Sequence, residues 1–149
     1  MPKRRPQEIK NPLERFRRVF DEVVPPKGGL PTMPTRIADI ASDELGNMIA
    51  RYTAWREFTE DRHAEACATY SQCKSEYDLE CDKQTLQSDA ETVTERKVFA
   101  KTTPKVIELG KKVNEAEIYM GLLARKLDSF SNVLAMLSRE LTRRGVSNA

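Results

Sequence analysis

The last third of the chain carries the most regular hydrophobic pattern. From Val106 to Leu141, apolar residues recur at alternating steps of three and four without a failure, over about five heptads. This spacing places them on one face of a long helix and is typical of a coiled coil. Thr103-Pro104 predicts the start of that helix, because proline is favoured at the first helical position. The apolar positions are Val106, Leu109, Val113, Ala116, Met120, Leu123, Leu127, Phe130, Leu134, Leu137 and Leu141.

A second, shorter apolar row lies beside the first. One row can pack on another helix of the same chain. A second row predicts burial against a further subunit, because exposed apolar rows on a long helix otherwise promote aggregation. The sequence therefore predicts self-association. The second row consists of Tyr119, Leu122, Val133 and Met136, and Lys126 and Ser129 interrupt it.

Another long helix is predicted upstream of the first one described. Ser42 can cap its N-terminus, and Asp43 and Glu44 carry charges that suit a first helical turn. The helix face is marked by aromatic as well as aliphatic residues, although Thr59 and Arg62 blur the register. Its apolar and aromatic positions are Leu45, Met48, Tyr52, Trp55, His63, Ala66, Tyr70, Cys73 and Tyr77.

This upstream helix is expected to end near Leu86. No proline or glycine interrupts residues 47–103, but the stretch 87–97 is polar enough to contain a break. Within it, Ser88 and Glu91 have the spacing of a capping box, which predicts a turn followed by a new helix.

The first 34 residues differ in character from the rest. Asn11-Pro12 predicts the start of a short amphipathic helix over residues 13–24, and four prolines and two glycines in residues 25–35 predict a hinge or stiff linker. We therefore divide the chain into a basic arm with its linker, residues 1–34, and a helical hairpin for oligomerisation and nucleic-acid binding, residues 35–149. The predicted fold class is all-α: a long antiparallel helical hairpin or coiled coil with a basic N-terminal arm, oligomeric.

Composition supports long exposed helices, with 39% hydrophobic and 32% charged residues and only six glycines. The net charge of +2 hides an asymmetry. Residues 1–18 hold seven bases and two acids, whereas residues 65–95 hold eight acids and two bases. A basic arm and an acidic middle predict an anionic partner for the arm, or the acidic face of a neighbouring subunit.

Several classes of protein are disfavoured. Three cysteines without a C-x-x-C spacing indicate free thiols in a reducing compartment. No apolar run approaches 18 residues and no signal-peptide pattern is present, so we expect no membrane partner and a cytoplasmic location.

Enzymatic patterns are scarce. The single histidine, His63, lies four residues before Cys67 and could supply two metal ligands, but a structural zinc site usually takes four. Gly110-Lys111 lacks the rest of a phosphate-binding loop, and no G-x-S-x-G occurs. We expect no metal, no cofactor and no catalytic activity.

The candidate nucleic-acid-binding residues fall into three basic groups. Each group has an alternative interpretation: the middle one as a solvated face, and the last one as cations that complement a helix dipole, worth about 0.3–1 kcal/mol each. Oligomerisation would repeat each small group around one groove and make phosphate contacts additive. Tyr52, Trp55 and Phe58 could stack on bases or belong to the core. The three groups are Arg4, Arg5, Arg15, Arg17 and Arg18; Arg96, Lys97 and Lys101; and Arg139, Arg143 and Arg144.

Three stretches together resemble the UvsY type of phage recombination mediator. They are "RYTAWREF" (51–58), "ERKVFAKTTPKV" (95–106) and "AEIYMGLLARKLDSFSNVLAMLSRELTRR" (116–144). The resemblance implies a small helical protein that forms a ring, binds single-stranded DNA and helps to load a RecA-like recombinase onto strands covered by single-strand-binding protein. In that family the first long helix carries basic residues for DNA, whereas residues 74–83 here are acidic. DNA contact is then expected at the three basic groups, with the acidic helix free for a basic partner protein.

The alternative is a small terminase-like DNA-packaging subunit or a virion assembly scaffold with a coiled coil. A terminase subunit would carry a helix-turn-helix near its N-terminus, and residues 35–55 are only faintly similar to one. A structural coiled coil without nucleic acid is the third interpretation.

Overall fold

The structure, a computed structural model, describes residues 24–147. It contains three α-helices: α1 (Ser42–Gln87), α2 (Val93–Thr102) and α3 (Pro104–Ser147), with a 3₁₀ turn at Ile37–Asp39 before them. No strand occurs in this range, so the predicted all-α class is confirmed. The basic arm and the predicted helix over residues 13–24 lie outside the described residues, apart from Val24.

The two long helices run side by side in opposite directions. Arg144, near the end of α3, donates a hydrogen bond to the hydroxyl oxygen of Ser42 at the start of α1. Lys105, near the start of α3, lies 3.0 Å from the carboxylate of Glu80 near the end of α1. We call the end that holds Ser42 and Arg144 the open end, and the end that holds α2 the closed end.

The heptad positions of α3 face α1. Val106, Phe130 and Leu137 are buried, and the other predicted positions are half-buried except Leu141, which is 40% exposed. The rings of Tyr52 and Phe130 meet edge to face across the two helices, with their centroids 6.1 Å apart. A cluster of buried apolar residues lies in the half of the pair toward the open end: Ile40, Leu45, Met48, Tyr52, Phe130 and Leu137.

The start of α1 differs from the prediction by one residue. Ser42 is the first helical residue, and Ala41 precedes it without a side-chain cap. The predicted cap at Ser42 is therefore wrong. The reason is tertiary, because the Ser42 hydroxyl faces Arg144 instead of the free amides of its own helix. Asp43 and Glu44 do lie in the first turn.

The turn after α1 also differs in detail. Thr92 and Glu95, not Ser88 and Glu91, form the capping box: each side chain accepts a hydrogen bond from the other residue's backbone amide at 3.2 Å. Ser88 instead accepts a hydrogen bond from the amide of Ala90 within the turn. Both pairs have the same spacing, so the pattern located the break but not the residue at which α2 begins.

A single residue joins α2 to α3. The Thr103 hydroxyl donates to the carbonyl of Ala100 at 2.7 Å, while the Thr103 carbonyl accepts from the amide of Ile107 at 3.0 Å. Pro104 is the first residue of α3, as predicted. Proline disfavours helical geometry at the residue before it, which explains why α2 ends at Thr102.

Residues 25–35 have no regular secondary structure, as the proline and glycine content predicts. The segment is nevertheless held against α1. The indole nitrogen of Trp55 donates to the Gly29 carbonyl at 3.0 Å, and Arg51 donates to the carbonyls of Gly28 and Gly29 at 3.1 and 3.2 Å. Both glycines have positive φ, of 89° and 70°, which other residues adopt only with strain.

The same segment enters the core two residues later. Pro31 is buried, and its carbonyl accepts a hydrogen bond of 2.9 Å from the buried Tyr52 hydroxyl. Met33 packs against the apolar cluster. The sequence predicted a hinge or stiff linker here, but it did not predict that Arg51, Tyr52 and Trp55 hold the segment against α1. Among the helices of the described range, none has the length and apolar character needed to cross a membrane.

Candidate nucleic-acid interface

Arg144 has the most contacts of the three terminal arginines. Its guanidinium donates to the carbonyls of Ile37, Ala38 and Ile40, and to the Ser42 hydroxyl, over distances of 2.5–3.3 Å. Its Nε donates to Glu140 at 2.9 Å. The side chain is only 17% exposed. Arg144 thus ties the end of α3 to the 3₁₀ turn, and none of its three nitrogens is left without a protein acceptor.

Glu140 joins Arg144 to Arg143. The two carboxylate oxygens of Glu140 accept a two-point contact from Arg143, at 2.7 and 2.9 Å. The hydrogen bonds from Arg143 and, to a smaller extent, the one from Arg144 lower the pKa of Glu140 to about 2. The same contact raises the pKa of Arg143. Arg143 is 65% exposed, so it can face solvent, but one carboxylate already balances much of its charge.

Arg139 is the remaining terminal arginine. It is exposed and makes no ion pair with any residue that the structure describes. Of the terminal group, Arg139 is therefore the side chain best placed to contact an external phosphate.

The middle basic group lies on α2 at the closed end. Arg96 is half-buried, and its Nε donates to the Ala90 carbonyl at 2.6 Å, which fixes the turn before α2. Lys97 and Lys101 are exposed and lie one helical turn apart, without an ion-pair partner among the described residues. These two lysines form the free part of the middle group.

An ion pair joins α1 to α3 at the closed end. Glu80 is buried, and Gln84 and Lys105 donate to its carboxylate at 2.8 and 3.0 Å. The Gln84 hydrogen bond and then the Lys105 contact lower the pKa of Glu80. Lys105 therefore acts as an internal partner, although it is 62% exposed.

The aromatic residues that could stack on bases are engaged with the protein. Tyr52 is buried, and burial raises the pKa of its hydroxyl. Trp55 is half-buried, binds the Gly29 carbonyl and meets Phe58 edge to face, with ring centroids 5.6 Å apart. The structure thus places these rings in the core and in the anchor of residues 28–33.

His63 and Cys67 lie in contact on α1, with the thiol sulfur 3.7 Å from Nε2. No group of three or more histidine, cysteine or acidic side chains that could hold a metal occurs in the described range. The two residues therefore form a local side-chain contact on the helix. All three cysteines are free and half-buried.

The two described basic groups lie at opposite ends of the molecule. Because a helix rises 1.5 Å per residue, Lys105 and Arg139 are about 50 Å apart along α3. One chain therefore does not bring Lys97 and Lys101 near Arg139. The arm residues Arg4, Arg5, Arg15, Arg17 and Arg18 lie outside the described residues.

All of the net positive charge lies in residues 1–23. Seven of the 25 bases and four of the 23 acids belong to residues 1–23, which leaves 18 bases and 19 acids in residues 24–149. The helical part of the chain is thus close to electrically neutral.

The sequence analysis did not predict Glu140 as the ion-pair partner of Arg143 and Arg144. Glutamate three and four residues before two arginines is a favourable spacing for ion pairs on a helix, so this signal was present. The contact of Arg144 with the 3₁₀ turn had no local signal. Residues 35–55 form that turn and the start of one continuous helix, so they contain no helix-turn-helix.

Comparisons with protein families, curated proteins and solved structures give no match for this chain.

Proposed function

We propose that this chain is a homo-oligomeric single-stranded DNA-binding protein that acts as a recombination mediator. In this role it helps to load a RecA-like recombinase onto strands covered by single-strand-binding protein. The observation that carries the proposal is that three of the predicted phosphate ligands, Lys97, Lys101 and Arg139, are exposed and make no ion pair with any described residue. The arm would supply Arg4, Arg5, Arg15, Arg17 and Arg18.

Self-association is the second part of the proposal. We infer that α1 and α3 form a hairpin of coiled-coil type whose outer surface packs against other copies, in an assembly that we expect to be a ring. Several large apolar side chains of α3 are available for such a contact: Ile107, Ile118, Tyr119, Leu122 and Met136, each more than two-fifths exposed.

The mechanism of binding would be electrostatic. Lysine and arginine displace the counterions of the phosphate backbone without reading bases, so affinity falls steeply as salt rises. Arg144 is left out of this interface because protein acceptors occupy its donors. Since the helical part is nearly neutral, we expect the arm to contribute the largest share of the affinity.

The test is binding to oligo-dT as a function of salt. Replacement of the five arm arginines by alanine should weaken binding most, and Lys97→Ala/Lys101→Ala should weaken it further and reduce the salt slope by about two. Lys74→Ala/Lys112→Ala is the matched control, because it removes two lysines that already pair with Asp78 and Glu108. Equal affinity at low and molar salt would contradict the proposal.

A virion assembly scaffold is the second candidate. The near neutrality of residues 24–149, together with the exposed apolar face of α3, favours a protein whose main partners are other protein chains. A terminase-like packaging subunit is less favoured, because residues 35–55 form no helix-turn-helix. Stronger binding to duplex than to single strands would support the packaging role, and no binding to either would support the scaffold.

A further inference from the structure

The face of α3 that points away from α1 carries an apolar stripe. At 100° per residue, Ile118 and Leu122 lie on the side opposite the heptad positions, and Ile107 and Met136 continue the same face toward the two ends of the helix. These four side chains are 43–57% exposed. Gly121 lies beside Leu122, and a methyl group added there would meet nothing within 4 Å.

Unpaired charges border the centre of this stripe. Glu117 and Arg125 lie on one side of it, and Glu115 and Lys126 lie on the other. Glu115, Glu117 and Arg125 make no ion pair with any described residue, and Lys126 rests over the Phe130 ring at 5.0 Å. Elsewhere on α3, Lys105, Lys112, Arg143 and Arg144 have carboxylate partners, whereas Lys111, on the same face as the stripe, and Arg139 have none among the described residues.

We propose that two copies of this chain pair through the outer faces of their α3 helices, antiparallel, about a two-fold axis level with Gly121. The inference specifies one interface of the assembly proposed above and rests on that proposal only for its role in DNA binding. A two-fold contact of this kind closes a dimer or pairs copies within a larger dihedral assembly.

The charges at the centre of the stripe match this arrangement. In an antiparallel pair, residues at equal distances before and after the centre lie level, and residues on the same side of the face meet. Glu117 is four residues before Gly121, and Arg125 is four residues after it. On the other side of the face, Glu115 and Lys126 lie six before and five after the centre. Each acid therefore meets a base of the other copy, and each contact occurs twice.

The apolar residues match it as well. Leu122 lies one residue from the centre and meets Leu122 of the other copy, with Ile118 beside it. Farther out, Ile107 of one copy lies level with residue 135 of the other. A shallow groove runs there along α3, lined by Arg125, Asp128, Ser129, Asn132, Val133 and Met136.

A parallel pair in the same register does not have this complementarity. A two-fold axis along the helices exchanges the two sides of the face, so Glu117 would lie next to Glu115 of the other copy and Arg125 next to its Lys126. Like charges placed opposite one another are destabilising. The charge pattern therefore selects the antiparallel orientation.

The arrangement has a consequence for the basic groups. Arg139 lies eighteen residues after Gly121, and Thr103 lies eighteen before it. Arg139 of one copy is therefore level with the junction of α2 and α3 in the other, next to the helix that carries Lys97 and Lys101. Two groups that lie about 50 Å apart along one chain are thus brought to the same level at each end of the pair.

Distances between spin labels test the orientation. The labels are attached to Asn114→Cys or Ser138→Cys, two exposed positions, in a chain whose three cysteines are replaced by serine. In the antiparallel pair, the two labels should lie roughly 25 Å apart at position 114 and roughly 50 Å apart at position 138. Equal short distances at both positions would indicate a parallel pair and overturn the proposal, as would the absence of any coupling between labels.

A charge exchange tests the contacts. Arg125→Glu should raise the dimer dissociation constant at least tenfold. Addition of Glu117→Arg to the same chain should return this constant to the value of the unsubstituted chain, because the exchanged pair is complementary again. Leu122→Glu should also separate the copies. Leu86→Glu, at an 82% exposed leucine on α1, is the control and should leave the mass unchanged. Failure of the double variant to restore association would contradict the proposed pairing.

This outcome is separable from the DNA-binding proposal. Oligo-dT binding by a chain that shows no such pairing would overturn the interface and leave the proposed function standing. Antiparallel pairing without salt-sensitive DNA binding would support the interface and contradict the function.

Discussion

Arg144 and Ile40 lie 104 residues apart in the chain, yet the guanidinium of one donates to the carbonyl of the other. Together with the hydrogen bonds to Ile37 and Ala38, this contact fastens the last turns of α3 to the segment that enters α1. Arg144 therefore fixes the direction from which residues 24–36 approach the helices. A cation that the sequence suggests as a phosphate ligand is here part of the fold.

Arg144→Ala should lower the free energy of unfolding by about 2 kcal/mol, because several carbonyls lose a charged donor at a half-buried site. Arg144→Lys should recover only part of this loss, since an ammonium group cannot reproduce the planar fork. Urea unfolding followed by circular dichroism measures both. Arg139→Ala, at an exposed arginine of the same helix, should change stability by less than about 0.5 kcal/mol; an equal loss in the two alanine variants would contradict the assigned role.

The Glu140 contact predicts a pH dependence. Its pKa is lowered from 4.5 to about 2 when the protein is folded, chiefly by the hydrogen bond from Arg143. A carboxyl group with a lowered pKa stabilises the folded state fully above its ordinary pKa, and this contribution is lost as the pH falls from 4.5 toward 2. Glu140→Gln should therefore flatten the dependence of unfolding free energy on pH in that window.

The same group can be observed directly. Carboxyl carbon chemical shifts measured during an acid titration should give Glu140 its low pKa, and Arg143→Ala should move that pKa upward. If the pKa of Glu140 were unaffected by this substitution, Arg143 would not be its main partner.

Tyr52→Phe should test the anchoring of residues 28–33. The substitution keeps the ring against Phe130 but leaves the carbonyl of the buried Pro31 without its donor. We expect a loss of about 1–2 kcal/mol in unfolding free energy. Trp55, the only tryptophan, binds Gly29 in the same segment, so its fluorescence reports whether the segment stays in place. An unchanged stability with an unchanged spectrum would show that this hydrogen bond is dispensable.

Two helical glycines should respond differently to alanine. A methyl group at Gly46 meets nothing within 4 Å, so Gly46→Ala should stabilise the protein by about 0.5–1 kcal/mol through helix propensity. At Gly110 the same methyl group would lie 3.4 Å from the Tyr77 ring. Gly110→Ala should therefore gain less, and thermal unfolding of the two variants side by side measures the difference. A larger gain at Gly110 would indicate that the ring moves freely.

The features that depend on local pattern could be predicted from the sequence. The unbroken heptads located α3 and the face that meets α1, because burial of a regular stripe dominates the packing of a long helix. Pro104 marked the start of α3 for a local steric reason. The capping box was misplaced because Ser88 and Thr92 each have a glutamate three residues later, and spacing alone does not choose between them.

Features that depend on distant contacts could not be predicted in this way. Nothing near Arg144 in the sequence indicates that its acceptors are the carbonyls of residues 37, 38 and 40. The prolines and glycines of residues 25–35 exclude regular structure, but they do not show that Arg51, Tyr52 and Trp55 hold the segment. The sequence therefore predicts the candidate phosphate ligands only as a group. The structure separates Arg144, which is held by protein acceptors, from the exposed Arg139.

The uneven core has a consequence for local unfolding. The largest buried apolar side chains that join α1 and α3 lie toward the open end, whereas toward the closed end the buried ones are as small as Ala66, Ala100 and Val106. Amide hydrogens near α2 should thus exchange with solvent sooner than those around Leu45 and Leu137, because less apolar contact must be broken to expose them. We therefore expect local opening to begin at the closed end, while the end that holds the N-terminal segment stays protected longest.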